Sequence, residues 1–375
     1  MYSLHLSTIS PNSLKTYNYY VMKKLLYILL IAPIFVFGQG WEQHYGVGGW
    51  ITEVVQTTDG GYIATGYAYT AENDEGALVI KTNTQGDTLW TKSIDFGWNL
   101  GFCITQTNDE GYVISGRLMD GGFLLKLDEN GNQQWLQTYD MRVQWHLNAS
   151  DGGYVLAGDN GVMKTDSYGN ELWYNNFETD IYMSGMEHTT DGGIMITGTA
   201  VSGLPRPAIL IKTDVFGNEE WSKIINTDNF QPGRLALTSD GGFVIAGTIM
   251  TIIDLEEELV DYGTQLIKVD ENGNQQWSKS YISGGGLSDV HQTSDGGYIS
   301  AGNMVMGYDD WSSEKIVLIK TDYNGILQWY QTFGNSDSEY NRKEGSSLKI
   351  TTDGGYIIGG ASWNDGYYLL KTNSE

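Results

Sequence analysis

Two five-residue loops, Asp128-Glu-Asn-Gly-Asn132 and Asp270-Glu-Asn-Gly-Asn274, carry the densest oxygen donors in the chain. A calcium loop of the D-x-[DN]-x-[DN]-G kind places its glycine sixth and a bidentate Glu twelfth. Here glycine is fourth, and Tyr139 or Tyr281 takes the place of that Glu. An Asn-Gly pair instead suits a hairpin turn. No cofactor and no metal are therefore expected, with calcium at these loops the alternative. His5, His44, His146, His188 and His291 show no metal-ligand spacing. The glycine-rich runs GVGGW (46–50) and GGGLS (284–288) lack the Lys-Ser/Thr and the helix of a phosphate cradle. Cys103, the single cysteine, excludes a disulfide within the chain and reads as a small core residue. Among carboxylates, Glu53, Glu187, Asp289 and Glu344 are the pieces from which an acid–base pair could be assembled. Glycoside hydrolysis would need two of them roughly 5–5.5 or 6.5–9.5 Å apart.

The elements that must position these residues come from an internal repeat. The phrase TTDGGYIATG (57–66) recurs with its aspartate at Asp59, Asp109, Asp151, Asp191, Asp240, Asp295 and Asp353. A second phrase, as in LIKTDYNGILQW (318–329), ends on Trp90, Trp135, Trp173, Trp221, Trp277 or Trp329. Each unit reads as four short strands, A to D. DGG turns A into B, an Asn-Gly type pair turns C into D, and D carries the tryptophan. No segment shows a helical period. Seven such units predict an all-β, seven-bladed β-propeller with four-stranded blades. The run QGWEQHYG (39–46) matches a D strand, whereas the last unit stops after strand C at YYLLKTNSE (367–375). The N-terminal strand, with Trp41, is thus expected to complete the last blade and close the ring. The repeated tryptophans are expected to pack between blades, and the repeated aspartates to cap their own turns.

The formal charge is −25 with no basic stripe, which argues against a nucleic-acid partner. From Met22, MKKLLYILLIAPIFVFGQG reads as a secretory signal peptide. A basic start is followed by an apolar run too short to span a bilayer, and a cleavage site lies near Gly38. Met22 is read as the true start, residues 1–38 as leader and 39–375 as one propeller domain. Export, no membrane span in the mature form and a monomer are expected.

The combination DGGY-I/V-x-x-G followed by LIKTDxxGxxxW resembles the secreted bacterial DGGY-repeat β-propellers, in the style of the quinoprotein-like, tryptophan-docking propellers. The stretch Lys212 to Trp221 stands where that group carries its docking motif, one residue shorter. The resemblance covers 39–375 and implies a propeller fold without an assigned activity. Quinoprotein dehydrogenases of this style have a vicinal cysteine pair and eight blades, so the resemblance does not extend to a quinone cofactor.

The turns after A and C are short and uniform and share one face of the disc. The B–C and D–A connections share the other and vary widely, as in 68–77, 248–265, 303–315, 227–234 and 334–345. A rigid frame with one variable face suits binding. Candidate binding residues there are Trp50, Trp98, Tyr182, Phe230, Trp311, Tyr340 and Trp363, with Arg234, Asp289, Asp309, Asp310 and Glu344 as polar neighbours. We read a non-catalytic binding or scaffold module for a glycan or an extracellular protein. The alternative is an endoglucanase-like polysaccharide hydrolase using carboxylates near the channel; a structural part of a cell-surface assembly is a third reading. The insertion 250–262 reads as an extended hairpin.

Overall fold

The computed structural model describes residues 40–46, 48–69, 75–94, 97–159, 161–201, 207–225, 229–254, 259–305, 314–334, 343–362 and 366–373. Residues 1–39, including the expected leader, and Asp309, Asp310, Trp311, Tyr340 and Trp363 lie outside them. The described residues form twenty-eight strands in seven four-stranded antiparallel sheets and no helix. Six blades run in simple chain order from the axis outwards. The first is β2 (Gly49–Gln56), β3 (Tyr62–Tyr69), β4 (Glu75–Thr82) and β5 (Thr88–Ile94). The seventh is β26 (Lys343–Ile350), β27 (Tyr356–Ser362) and β28 (Gly366–Thr372), completed by β1 (Trp41–His44). Trp41 pairs with Lys371 and His44 with Tyr368, so the first and last of the described strands share one sheet. Glu42 locks that seam, accepting from Tyr368 at 2.7 Å and pairing with Lys343 at 3.2 Å.

Strands B and C are buried along nearly their whole length, because each blade is covered by a neighbour on both faces. Strand D alternates, as an outer edge strand facing water on one side should. Seven apolar clusters result, one at each blade-to-blade interface; Val79 and Ile80 of β4 face opposite ones. β19 (Phe243–Asp254) and β20 (Leu259–Val269) pair out to Asp254 opposite Leu259, the extended hairpin expected of that insertion.

The repeated phrases become one inter-blade device. The strand-D tryptophans Trp41, Trp90, Trp135, Trp173, Trp221 and Trp277 each lie over the C–D turn glycine of the next blade; Trp329 faces the seventh blade, whose strand D is β1, and meets Tyr356 instead. A Cβ added to Gly273 would sit 2.6 Å from the Trp221 ring, and Gly273 also has a φ of +75°. Only glycine meets both conditions there. The same ring meets the aromatic of the following DGGY phrase, as in Trp90 on Tyr112 (5.9 Å) and Trp277 on Tyr298 (5.7 Å). Asp59 caps its own turn, accepting from Gly61 N at 2.9 Å and Thr57 Oγ1 at 2.5 Å. In the second blade Glu110 replaces the first glycine of DGG and is held at a φ of +63°.

That aspartate has a second partner. In every blade a lysine from strand C reaches it: Lys81–Asp59, Lys126–Asp109, Lys164–Asp151, Lys212–Asp191, Lys268–Asp240, Lys320–Asp295 and Lys371–Asp353, at 2.7–3.0 Å. The lysine stems are buried and their ammoniums also donate to the next carbonyl, as Lys81 does to Thr82 O at 3.0 Å. In the Asp128 and Asp270 loops the carboxylates are occupied by donors. Asp128 accepts from Asn130 N, Asn132 N and Asn132 Nδ2 at 2.7–2.9 Å. Asp270 does the same with Asn272 and Asn274 at 2.8–2.9 Å. These loops are Asx turns.

Candidate functional site at the propeller axis

The A strands lie side by side around the axis. They are β2, β6 (Asn99–Gln106), β10 (Val143–Asn148), β14 (Ile181–His188), β18 (Phe230–Leu237), β22 (Gly285–Gln292) and β26. Each breaks register with its B strand at the same level, between Ile51/Glu53, Gly101/Cys103, Val143/Trp145, Met183/Gly185, Pro232/Leu235, Leu287/Asp289 and Gly345/Ser347. Such bulges leave a residue outside the ladder and re-aim side chains. They produce two stacked rings. The bulge ring is Thr52, Phe102, Gln144, Ser184, Gly233, Ser288 and Ser346. The ring below it is Glu53, Cys103, Trp145, Gly185, Arg234, Asp289 and Ser347. The frame repeats; these residues do not.

The lower ring is a charged plug. Arg234 crosses the axis to Glu53, 181 residues away in sequence, and lies 3.3 Å from Asp289 Oδ2. It also donates to Thr52 O at 2.7 Å and lies 4.6 Å over the Trp145 ring. Lys349 completes a quartet, 2.8 Å from Glu53 Oε1 and 3.7 Å from Asp289 Oδ2. Asp289 is further satisfied by Val290 N and Leu348 N, both at 2.8 Å. Burial pushes the Asp289 carboxyl up, but Lys349, Arg234 and His291 more than reverse this and hold it well below the usual carboxylate range. Burial likewise opposes the charge of Arg234, and Glu53 and Asp289 outweigh it. Two anions and two cations thus form a neutral buried unit. Cys103 is buried in the same ring, its thiol pushed up to about 12 by burial. His146 bridges Thr105 and Ser115, each at 2.8 Å, and burial pushes it down to about 3.

The plug separates two cavities. The one toward the B–C and D–A connections has a volume of about 420 Å³, with Thr52, Phe102, Gln144, Ser184, Ser288 and Ser346 of the bulge ring on its wall. The one toward the turn face is about 210 Å³ and includes Thr105, His146, Glu187, His291 and Lys349.

The sequence candidates divide among three places. Arg234 and Asp289 belong to the plug rather than to the loop surface. Phe230 is 1% exposed, in the core between the fourth and fifth blades, and is not a binding-face residue. The stretch 227–234 reads as a loop because it contains Pro232 and Gly233, yet both stand at the bulge, where a broken ladder tolerates them. Glu344 likewise lies within β26. Trp50, Trp98 and Tyr182 stand at the loop-face ends of the first, second and fourth blades. Trp50 stacks on Tyr67 at 6.0 Å, Arg117 lies 5.5 Å over Trp98, and Tyr182 is 52% exposed. Sequence reading missed Glu53 as a partner of Arg234, Lys349, and the whole bulge ring. The seven lysines of strand C were visible as a constant position in the second phrase.

The fold and site define a seven-bladed β-propeller with a plugged axis and a polar-walled cavity above the plug. Solved structures agree on the fold. A catalytically inactive virginiamycin B lyase from Staphylococcus aureus with quinupristin superposes with a TM-score of 0.61 at 11% identity, over 89% of this chain and 98% of that one. YCF48 bound to D1 peptide gives 0.56 at 10%, over 90% and 97%. BBS1N in complex with ARL6DN gives 0.57 at 9%, over 89% and 95%. No family model and no curated protein sequence matches the chain.

Proposed function

We propose that the protein is an exported binding module of the DGGY-repeat propeller kind, which contacts a glycan or an extracellular protein through the face bearing the B–C and D–A connections. The observation that carries this reading is the roughly 420 Å³ cavity whose bulge-ring residues differ from blade to blade while the frame around them repeats. Cavities of roughly 300–1,000 Å³ with a few convergent polar groups are the usual form of a ligand site. Trp50, Trp98 and Tyr182, at the loop-face ends of their blades, add aromatic surface on the same side of the disc. No helix among the described residues is long and apolar enough to cross a membrane. Glu53 and Asp289, two of the carboxylates a hydrolase could draw on, share Arg234 and Lys349 at the axis and are occupied by them. A general acid needs a raised pKa, and the Asp289 carboxyl is lowered. The plug thus supports the binding reading over one in which Asp289 is the acid of a glycoside cleavage.

Glycan and peptide arrays probed with the full chain test this. Capture of a ligand class that Trp98→Ala and Tyr182→Ala weaken supports the loop face. Silence on both arrays from a folded protein would contradict it.

A further inference from the structure

We infer that the cavity above the plug is a site for a neutral, polyhydroxylated ligand, a sugar unit entering end-on along the axis. This rests on the binding-module reading and narrows it to one ligand chemistry.

Charge comes first. The floor carries two anions and two cations that pair with one another, so it offers no net field to an ion. Arg234 already donates to Glu53, Asp289 and Thr52 O, and its guanidinium is not held open for a phosphate or carboxylate. A formal charge of −25 further disfavours an anion. A cation finds no free carboxylate, because Asp289 is also saturated by Val290 N and Leu348 N.

The walls say what does fit. Ser288, Ser346, Thr248, Gln144 and Gln231 line the cavity, and none spends its side chain on an intramolecular hydrogen bond. Hydroxyls and carboxamides both donate and accept. A ligand hydroxyl also needs both at once, which a backbone carbonyl or a carboxylate alone does not supply. Between these polar groups stand the half-buried rings of Phe102 and Trp145, apolar surfaces for the C–H face of a sugar ring. Alternating apolar and dual-role polar surface over a neutral floor matches a pyranose better than a peptide terminus, whose charge would have no partner. The volume of about 420 Å³ leaves room for one or two sugar units.

The test is calorimetry and saturation-transfer NMR on the full chain. The probes are neutral hexasaccharides of glucose, xylose and mannose, trigalacturonate as the anionic counterpart, and an unstructured capped Gly-Ser peptide. At least one neutral hexasaccharide should bind. Ser288→Val with Ser346→Val should weaken it about tenfold or more, through two lost hydrogen bonds, with the melting temperature unchanged. Phe102→Ala should weaken it severalfold. Undiminished binding by all these variants would place the sugar elsewhere, overturning this inference and leaving the module reading intact. Binding of trigalacturonate or the peptide alone would overturn the ligand class. No binding by any probe overturns the inference too, and the arrays then judge the broader reading by themselves.

Discussion

At the outer half of the blades the chain repeats one construction: a lysine on an aspartate in all seven, and at six of the seven junctions a tryptophan over a glycine of the next turn. At the axis the seven A strands, bulged at the same level, carry Glu53, Cys103, Trp145, Gly185, Arg234, Asp289 and Ser347. One backbone frame therefore holds seven equal residues in one place and seven unequal ones in another. Equal residues answer a demand that every blade makes, which is to pack on its neighbour. Unequal residues at equivalent positions answer a demand made once per molecule, and only a feature on the axis sees all blades together.

Four perturbations would break or sharpen that contrast. Deleting residues 40–46 removes β1 and bares the edge of β28; we expect loss of a soluble folded monomer, read by size-exclusion chromatography. A folded, monomeric deletion product would show that closure is not needed. Trp221→Ala opens an inter-blade cavity over Gly273 and should cost about 3–5 kcal/mol in denaturant unfolding; a near-neutral midpoint would remove the packing role. Arg234→Met keeps bulk at the axis but takes the guanidinium away from both Glu53 and Asp289. We expect about 3 kcal/mol of destabilisation, as when one partner of a buried pair is removed. If the variant is as stable as the parent, the plug is not a structural unit.

The smallest effect is an acid titration. Hydrogen bonds from Thr189 and then Lys212 lower Asp191 to about 2. Partial burial raises Asp295 and Asp353, and hydrogen bonds from Lys320 or Lys371, with those from Thr293 or Thr351, reverse this, again to about 2. A carboxyl that is more acidic folded than unfolded stabilises the fold above the unfolded value of about 3.9 and loses that contribution as pH falls through the folded value. Stability should therefore decline between about pH 4 and pH 2. These aspartates are more than half exposed, so each is worth only ~0.2–1 kcal/mol after solvent screening. Lys212→Met should shift the decline for one blade to higher pH; an unchanged pH profile would show that the lysine does not tune its aspartate.

The blade number, the turns, the travelling tryptophan and the closing strand were legible because each is local and recurs. Asp59 and Gly61 are two residues apart, and Trp221 announces itself by spacing. The axial plug was not legible. Arg234 finds Glu53 across the ring, and no pattern within either strand marks the pair. The bulge hid its own strand, since Pro232 and Gly233 look like loop residues until the broken ladder is seen. Phe230 was misplaced for the same reason. The lysine–aspartate bridges lie between these cases, because both partners recur in every blade while their pairing depends on register between strands B and C.

Hydrogen–deuterium exchange of the full chain, with and without a ligand captured from the arrays, tests the central claim most directly. The account predicts protection in peptides spanning 50–54, 143–147, 231–235, 285–289 and 344–348, the A strands around the upper cavity. Protection concentrated instead at the turns 57–61, 83–87, 128–132 and 270–274 would place the site on the repeating face and contradict it.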